Sequence, residues 1–84
     1  MLTVVQLRFE IHASTDEHAV GWDIDVMCLE GEGNTVIDGQ AEALRSDQWV
    51  HWPAGKPHRL FTENTTMITL MLEHVGPGND RPPR

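Results

Sequence analysis

The sequence predicts an all-β fold, a sandwich or barrel of six to eight short antiparallel strands. Three observations carry that prediction. Apolar residues recur with a period of two rather than that of a helix. Turns rich in Gly, Pro and Asp interrupt the chain at close intervals. No stretch shows a helical apolar stripe. The chain has 84 residues, enough for one domain that buries roughly 60–65% of its unfolded surface. The body is expected over residues 1–75 and a loose tail over 76–84.

The first strand is predicted over residues 5–11, with Val5, Leu7, Phe9 and Ile11 on one face and Gln6, Arg8, Glu10 and His12 on the other. A polar loop over 13–21 follows. In WDIDVMCLEG, Trp22, Ile24, Val26 and Cys28 share one face, while Asp23 and Asp25 take the opposite one. Gly31 and Gly33 then punctuate the chain. TVIDGQA reads as a hairpin, because Asp38-Gly39 tolerates the positive φ values of a two-residue type I′ turn. QWVHW runs as a strand into Pro53, and HRLFTE leads away from His58. Asn64-Thr65 marks the next turn, and a strand over 67–75 closes the set. That last strand is apolar on both faces, through Met67, Leu70, Met71 and Leu72. The terminal GPGNDRPPR combines Gly, Pro and charge, the composition of a loose end.

Composition removes several classes of partner. Net charge is −7, with 6 basic residues against 13 acidic ones. Nucleic acid binding needs clustered Lys and Arg to displace counterions from phosphates, so no nucleic acid partner is expected. The same balance disfavours an anionic membrane surface, and no apolar run approaches the ~20 residues of a membrane span. Residues 1–10, MLTVVQLRFE, lack the order of a secretion signal, and the one cysteine, Cys28, cannot form an internal disulfide. A cytoplasmic setting is the expectation.

Two stretches resemble motifs of the cupins, small β-barrels of jelly-roll type built from two packed antiparallel sheets. The first is Pro53-Ala54-Gly55-Lys56-Pro57-His58, which matches the centre of the family's second motif without a gap; Asp47 stands at that motif's leading Gly and Thr62 at its closing Asn. The second appears when Gly31 is laid on the last Gly of the first motif. His18 then falls on its first His, Val20 on its second His and Ile24 on its Glu. LEGEGNTVIDGQ is similar to the central hairpin. The resemblance covers about residues 9–73. It implies an all-β cupin barrel and an interior site in which three His and one Glu hold a divalent metal. This chain keeps His18 and His58 of that set, and Val20 and Ile24 cannot ligate.

The metal candidates are therefore His18 and His58, for one divalent ion of Zn, Fe, Mn or Ni, or none. His51 is a candidate third group if its strand face turns inward. Asp23 and Asp25 point away from the cavity if Ile24 points into it. The candidate ligand-binding residues are His18, His51, Trp22, Trp52 and His58, since concave sites are mainly apolar and aromatic with a few placed polar groups. Each has a plainer reading: Trp22, Trp49 and Trp52 as core or interface, His51 as a packing residue, His18 as a solvated loop residue, His58 as a turn cap. His12 and His74 read as surface strand residues, and Cys28 as an inert core thiol. Asn64-Thr65-Thr66 matches a glycosylation acceptor but has little meaning without a secretion signal.

Three functions stay open. The first is a barrel that binds a small organic molecule. The second is a metal-dependent enzyme of oxygenase or isomerase type. The third is a structural or partner-binding module with a filled barrel. A homodimer is expected, because so small a domain gains from burying a further apolar face.

Overall fold

The computed structural model describes residues 1–75 as six strands. They are β1 (Leu2–Phe9), β2 (Ile24–Ile37), β3 (Gln40–Arg45), β4 (Trp49–Trp52), β5 (His58–Phe61) and β6 (Met67–His74). The expected tail over 76–84 lies outside the described residues. All strand pairs are antiparallel. One layer runs in the order β1-β6-β2-β4, and in the other the second half of β2 lies between β3 and β5.

β2 belongs to both layers, and this is where the structure departs from the sequence expectation. Gly31 and Gly33 do not end a strand. They let a strand of 14 residues pass from one sheet to the other. A bulge between Cys28 and Glu30 shifts the pairing with β6, and bulges bend strands at such crossings. Gly31 follows at φ 78°. A Cβ there would sit 2.0 Å from the Thr66 carbonyl oxygen. The local sequence pattern shows a break in alternation; only packing shows that the chain continues through it.

Two further boundaries differ. β1 ends at Phe9 rather than reaching Ile11, and Ile11 is 52% exposed. His12 is not a strand residue: it sits in a turn at φ 55° and donates its backbone N–H to the Glu63 carbonyl at 3.0 Å. The hairpin at Asp38-Gly39 is as expected, with Ile37 opposite Gln40 and φ values of 51° and 84° at the two turn residues.

The core lies between the layers, on the inward face of each strand. It comprises Phe9, Ile24, Val26, Cys28, Leu44, Trp52, Leu60, Met67 and Met71. Trp52, the largest of these, donates Nε1–H to Thr35 Oγ1 at 2.8 Å. That bond satisfies the indole and the threonine together, as burial of polar groups requires.

Candidate functional site

The Pro53–His58 corner explains itself through backbone geometry. Lys56 N–H donates to the Pro53 carbonyl at 3.3 Å, and Gly55, at φ 81°, takes the turn position that needs positive φ. The corner is also tied to the loop before β2. Gly55 N–H donates to the Val20 carbonyl at 2.7 Å, and Ala54 N–H donates to Asp23 Oδ1 at 2.8 Å. The loop in turn runs beside β5. His18 and His58 form an antiparallel bridge, with His58 N–H to the His18 carbonyl at 2.9 Å and the reciprocal bond at 3.2 Å.

That bridge puts the two imidazoles in contact. Nε2 of His58 lies 3.4 Å from Nε2 of His18, with the rings edge to face. His58 is 2% exposed and stacks on Trp52 at 4.0 Å between ring centroids; His18 is exposed. The protons can be placed by exclusion. His18 Nδ1 lies 3.1 Å from the Asp16 carbonyl, which only accepts, so His18 carries its proton on Nδ1. Its Nε2 is then an acceptor, and His58 Nε2–H donates to it. His58 Nδ1 is left as a buried acceptor with no partner among the described residues. Burial first and the neighbouring His18 second push the His58 pKa down, Glu73 opposes both, and the net value is about 4. At neutral pH the inner ring is uncharged.

Glu73 is the site residue that sequence reasoning missed. It follows Met67, Thr69 and Met71 on the inward-facing register of β6, opposite Ile24 of β2. Trp22 Nε1–H donates to Glu73 Oε1 at 3.0 Å. The signal was available: a carboxylate in the same alternation as two buried methionines is out of character for a strand face. The apolar residues on the other face of that strand obscured it.

His51 is not brought to this pair. β4 buries Trp52, so strand alternation turns His51 to the outer face. There His51 Nδ1 is 2.7 Å from Asp25 Oδ1, and His74 Nε2 is 3.0 Å from Asp25 Oδ2. His51 Nε2 also lies 3.4 Å from Asp23 Oδ2. Although burial pushes the Asp25 pKa up, the bonds from His51 and His74 and their charges bring it below the usual carboxylate value. The Asp25 bond raises the His51 pKa above the usual imidazole value. Asp23 and Asp25 thus point away from the interior, as the alternation predicts.

No protein-family model and no curated protein sequence matches the chain. Solved structures do. A conserved protein of unknown function from Streptococcus pyogenes superposes with a TM-score of 0.79 at 21% identity, over 89% of this chain and 66% of that one. A cupin 2 conserved barrel domain protein from Leptotrichia buccalis gives 0.83 at 26% identity, over 86% of this chain and 35% of that one. The cupin_2 domain of an XRE family transcriptional regulator from Enterobacter cloacae gives 0.79 at 24% identity, over 89% of this chain and 82% of that one.

The chain has the cupin fold.

It spans 66% of the Streptococcus pyogenes protein and 39% of a DMSP lyase from Ruegeria pomeroyi, which superposes at 0.83 with 19% identity. By the motif resemblance, His18 and His58 fall on two of the family's four ligand positions, and Val20 and Ile24 fall on the other two. Ile24 is 2% exposed and packs into the core. A tetrahedral ion bound at the usual length holds two imidazole nitrogens ~3.3–3.4 Å apart, so the His18–His58 spacing of 3.4 Å is compatible with a shared ion. The rest of the set is not. Among the described residues no group of three or more His, Cys, Asp or Glu converges as a metal site. Two imidazoles alone do not fit a resident divalent ion.

Trp52, which the sequence offers as a ligand contact, is 2% exposed and packs in the core. The best-formed clefts among the described residues open elsewhere, on the outer surface. One of about 450 Å³ runs beside β3 and β4, lined by Glu42, Leu44, Asp47 and Trp49 among others. None of the four clefts is lined by His18, Trp22, Trp52 or His58.

Proposed function

We propose that this small cupin binds a small organic molecule at the His18–His58 pair, at the rim of the barrel, and that the molecule bears a hydroxyl. The observation that supports this reading is the imidazole contact itself. A buried, uncharged His58 offers an N–H, and an exposed His18 offers an acceptor nitrogen 3.4 Å away. A hydroxyl both donates and accepts, so it can replace the imidazole–imidazole bond with two bonds of its own. A carboxylate has no proton to give His18 and would approach Glu73, so an anionic ligand fits less well. Trp22, four residues after His18 in the same loop and held by Glu73, is an aromatic residue available to such a ligand.

The test is a titration followed by the ring signals of the two histidines, with small alcohols and phenols in one arm and carboxylic acids in the other. Saturable shifts of both rings with the hydroxyl compounds, absent in His18→Ala, are the expected result. No shift with either class would remove the reading.

A second reading places a divalent ion, Zn, Fe, Mn or Ni, at the same two nitrogens with its further ligands supplied from outside the pair; the 3.4 Å separation favours it and the missing third protein ligand counts against it. Elemental analysis of protein expressed with all four metals, beside His58→Ala, separates the two. Near-stoichiometric metal that disappears in the variant would move the search toward metal-assisted chemistry. Folded, metal-free protein in both samples leaves the organic ligand.

A further inference from the structure

β3 and β4 pair with different halves of β2 and not with each other, so a seam stays open between their edges. Two clefts run along this seam and share Glu42, one of about 450 Å³ and one of about 330 Å³. The larger has the size of a small-molecule site. Register explains its walls. Glu42 lies opposite Thr35, and Thr35 lies opposite Leu60. Thr35 and Leu60 are buried, so the row faces inward, and Glu42 is its exposed end on the edge strand. Leu44 and Val50 add apolar floor, and Trp49, 62% exposed, lines the open side.

Asp47, in the turn between β3 and β4, brings a second carboxylate to the larger cleft. Its φ is 71°, a conformation that glycine adopts freely and an L side chain does not. The matching cupin motif has Gly at this position. The carboxylates of Glu42 and Asp47 have no ion pair among the described residues, whereas Asp38, in the second cleft, is paired with Lys56 at 3.7 Å. The floor has an unused group too. Thr35, 2% exposed, accepts Nε1–H from Trp52 at 2.8 Å, and its own O–H has no acceptor among the described residues. We propose that this seam is a second binding site, for a small amino alcohol. The ammonium group lies between the Trp49 ring and the two carboxylates, where attraction to the ring adds to that of the charges. The alcohol oxygen accepts the proton of Thr35. The net charge of −7 favours approach of a cation. An anion would meet Glu42 and Asp47. A hard metal ion wants six or more oxygen ligands, and no third ligating group converges here among the described residues.

Titration of the full chain with choline tests the proposal, followed by the indole N–H signal of Trp49 at constant ionic strength. 3,3-Dimethylbutanol, the uncharged isostere, and sodium chloride are the controls. A saturable shift with choline, absent with both controls, is the expected result. Glu42→Gln and Asp47→Gly should each weaken binding about five-fold, the worth of one exposed charge pair. Asp47→Gly also removes the positive-φ penalty, so a loss of affinity in that variant is not a loss of folding. His18 lines neither cleft, so His18→Ala should bind choline as the wild type does. That arm separates this site from the His18–His58 pair. Equal shifts with the uncharged isostere would overturn the proposal. So would unchanged affinity in both carboxylate variants, or binding lost in His18→Ala.

Discussion

His58 shows how a single residue acquires its chemistry from its surroundings. Its backbone is fixed by the corner before it and the bridge to His18, and its ring is pressed on Trp52. Burial is the main cause of its depressed pKa of about 4, and His18 and Glu73 act in opposite directions on what remains. Glu73→Gln is therefore expected to lower the His58 pKa further, and His18→Ala to raise it. Neither should restore the ordinary value near 6.5, because the stacking on Trp52 that buries the ring remains in both. Ring-proton titration by NMR reads both. A His58 that titrates near 6.5 in either variant would mean the ring is not buried.

Among the elements, β2 has the most demanding sequence requirement, and two glycines with similar φ separate its causes. At Gly31 (φ 78°) a Cβ would meet the Thr66 carbonyl oxygen at 2.0 Å, whereas at Gly39 (φ 84°) nothing lies within 4 Å. Gly39→Ala is expected to cost about 1 kcal/mol, the strain of a positive φ alone. Gly31→Ala adds a backbone clash at the point where the strand changes sheets, and should cost more than ~3 kcal/mol. Equal losses in chemical denaturation would refute the account of the crossing. On β4, Trp52→Phe retains an aromatic ring against His58 but leaves Thr35 Oγ1 buried without its partner. A loss of about 1–3 kcal/mol is expected.

For the whole molecule, the titrating groups divide the pH scale into separate windows. His51 has a raised folded pKa, so the stability it contributes is complete below its unfolded value of ~6.5 and is lost as pH rises through the folded one. His58 works the other way. Its folded pKa is about 4, so the unfolded chain binds a proton first as pH falls from ~6.5, and stability drops by on the order of 3 kcal/mol across that window. Asp25, with a lowered pKa, contributes stability that is lost only as pH falls below the usual carboxylate range. Maximum stability is expected near pH 6.5. Urea midpoints measured across pH check this, and His58→Leu should flatten the decline between ~6.5 and 4. An unchanged decline in that variant would assign it to another group.

What the sequence by itself determined was local. Period-two alternation marked β1 and the start of β2, and turn residues bounded β4, β5 and β6; Asp38-Gly39 placed a hairpin; Pro53-Ala54-Gly55 placed the corner before His58; and the opposition of Ile24 to Asp23 and Asp25 placed the aspartates outside. Each of these follows from constraints within a few residues, such as a positive φ, a fixed φ at proline or the alternation of side chains. The tertiary structure decided the rest. It carried β2 through its glycines, turned His51 outward, brought Glu73 to the inward register and buried Trp52 in the core. It also joined His18 to His58, residues separated by 40 positions. Those outcomes depend on which strands meet and in what register, which no local pattern specifies because the contacts form between segments far apart in the chain.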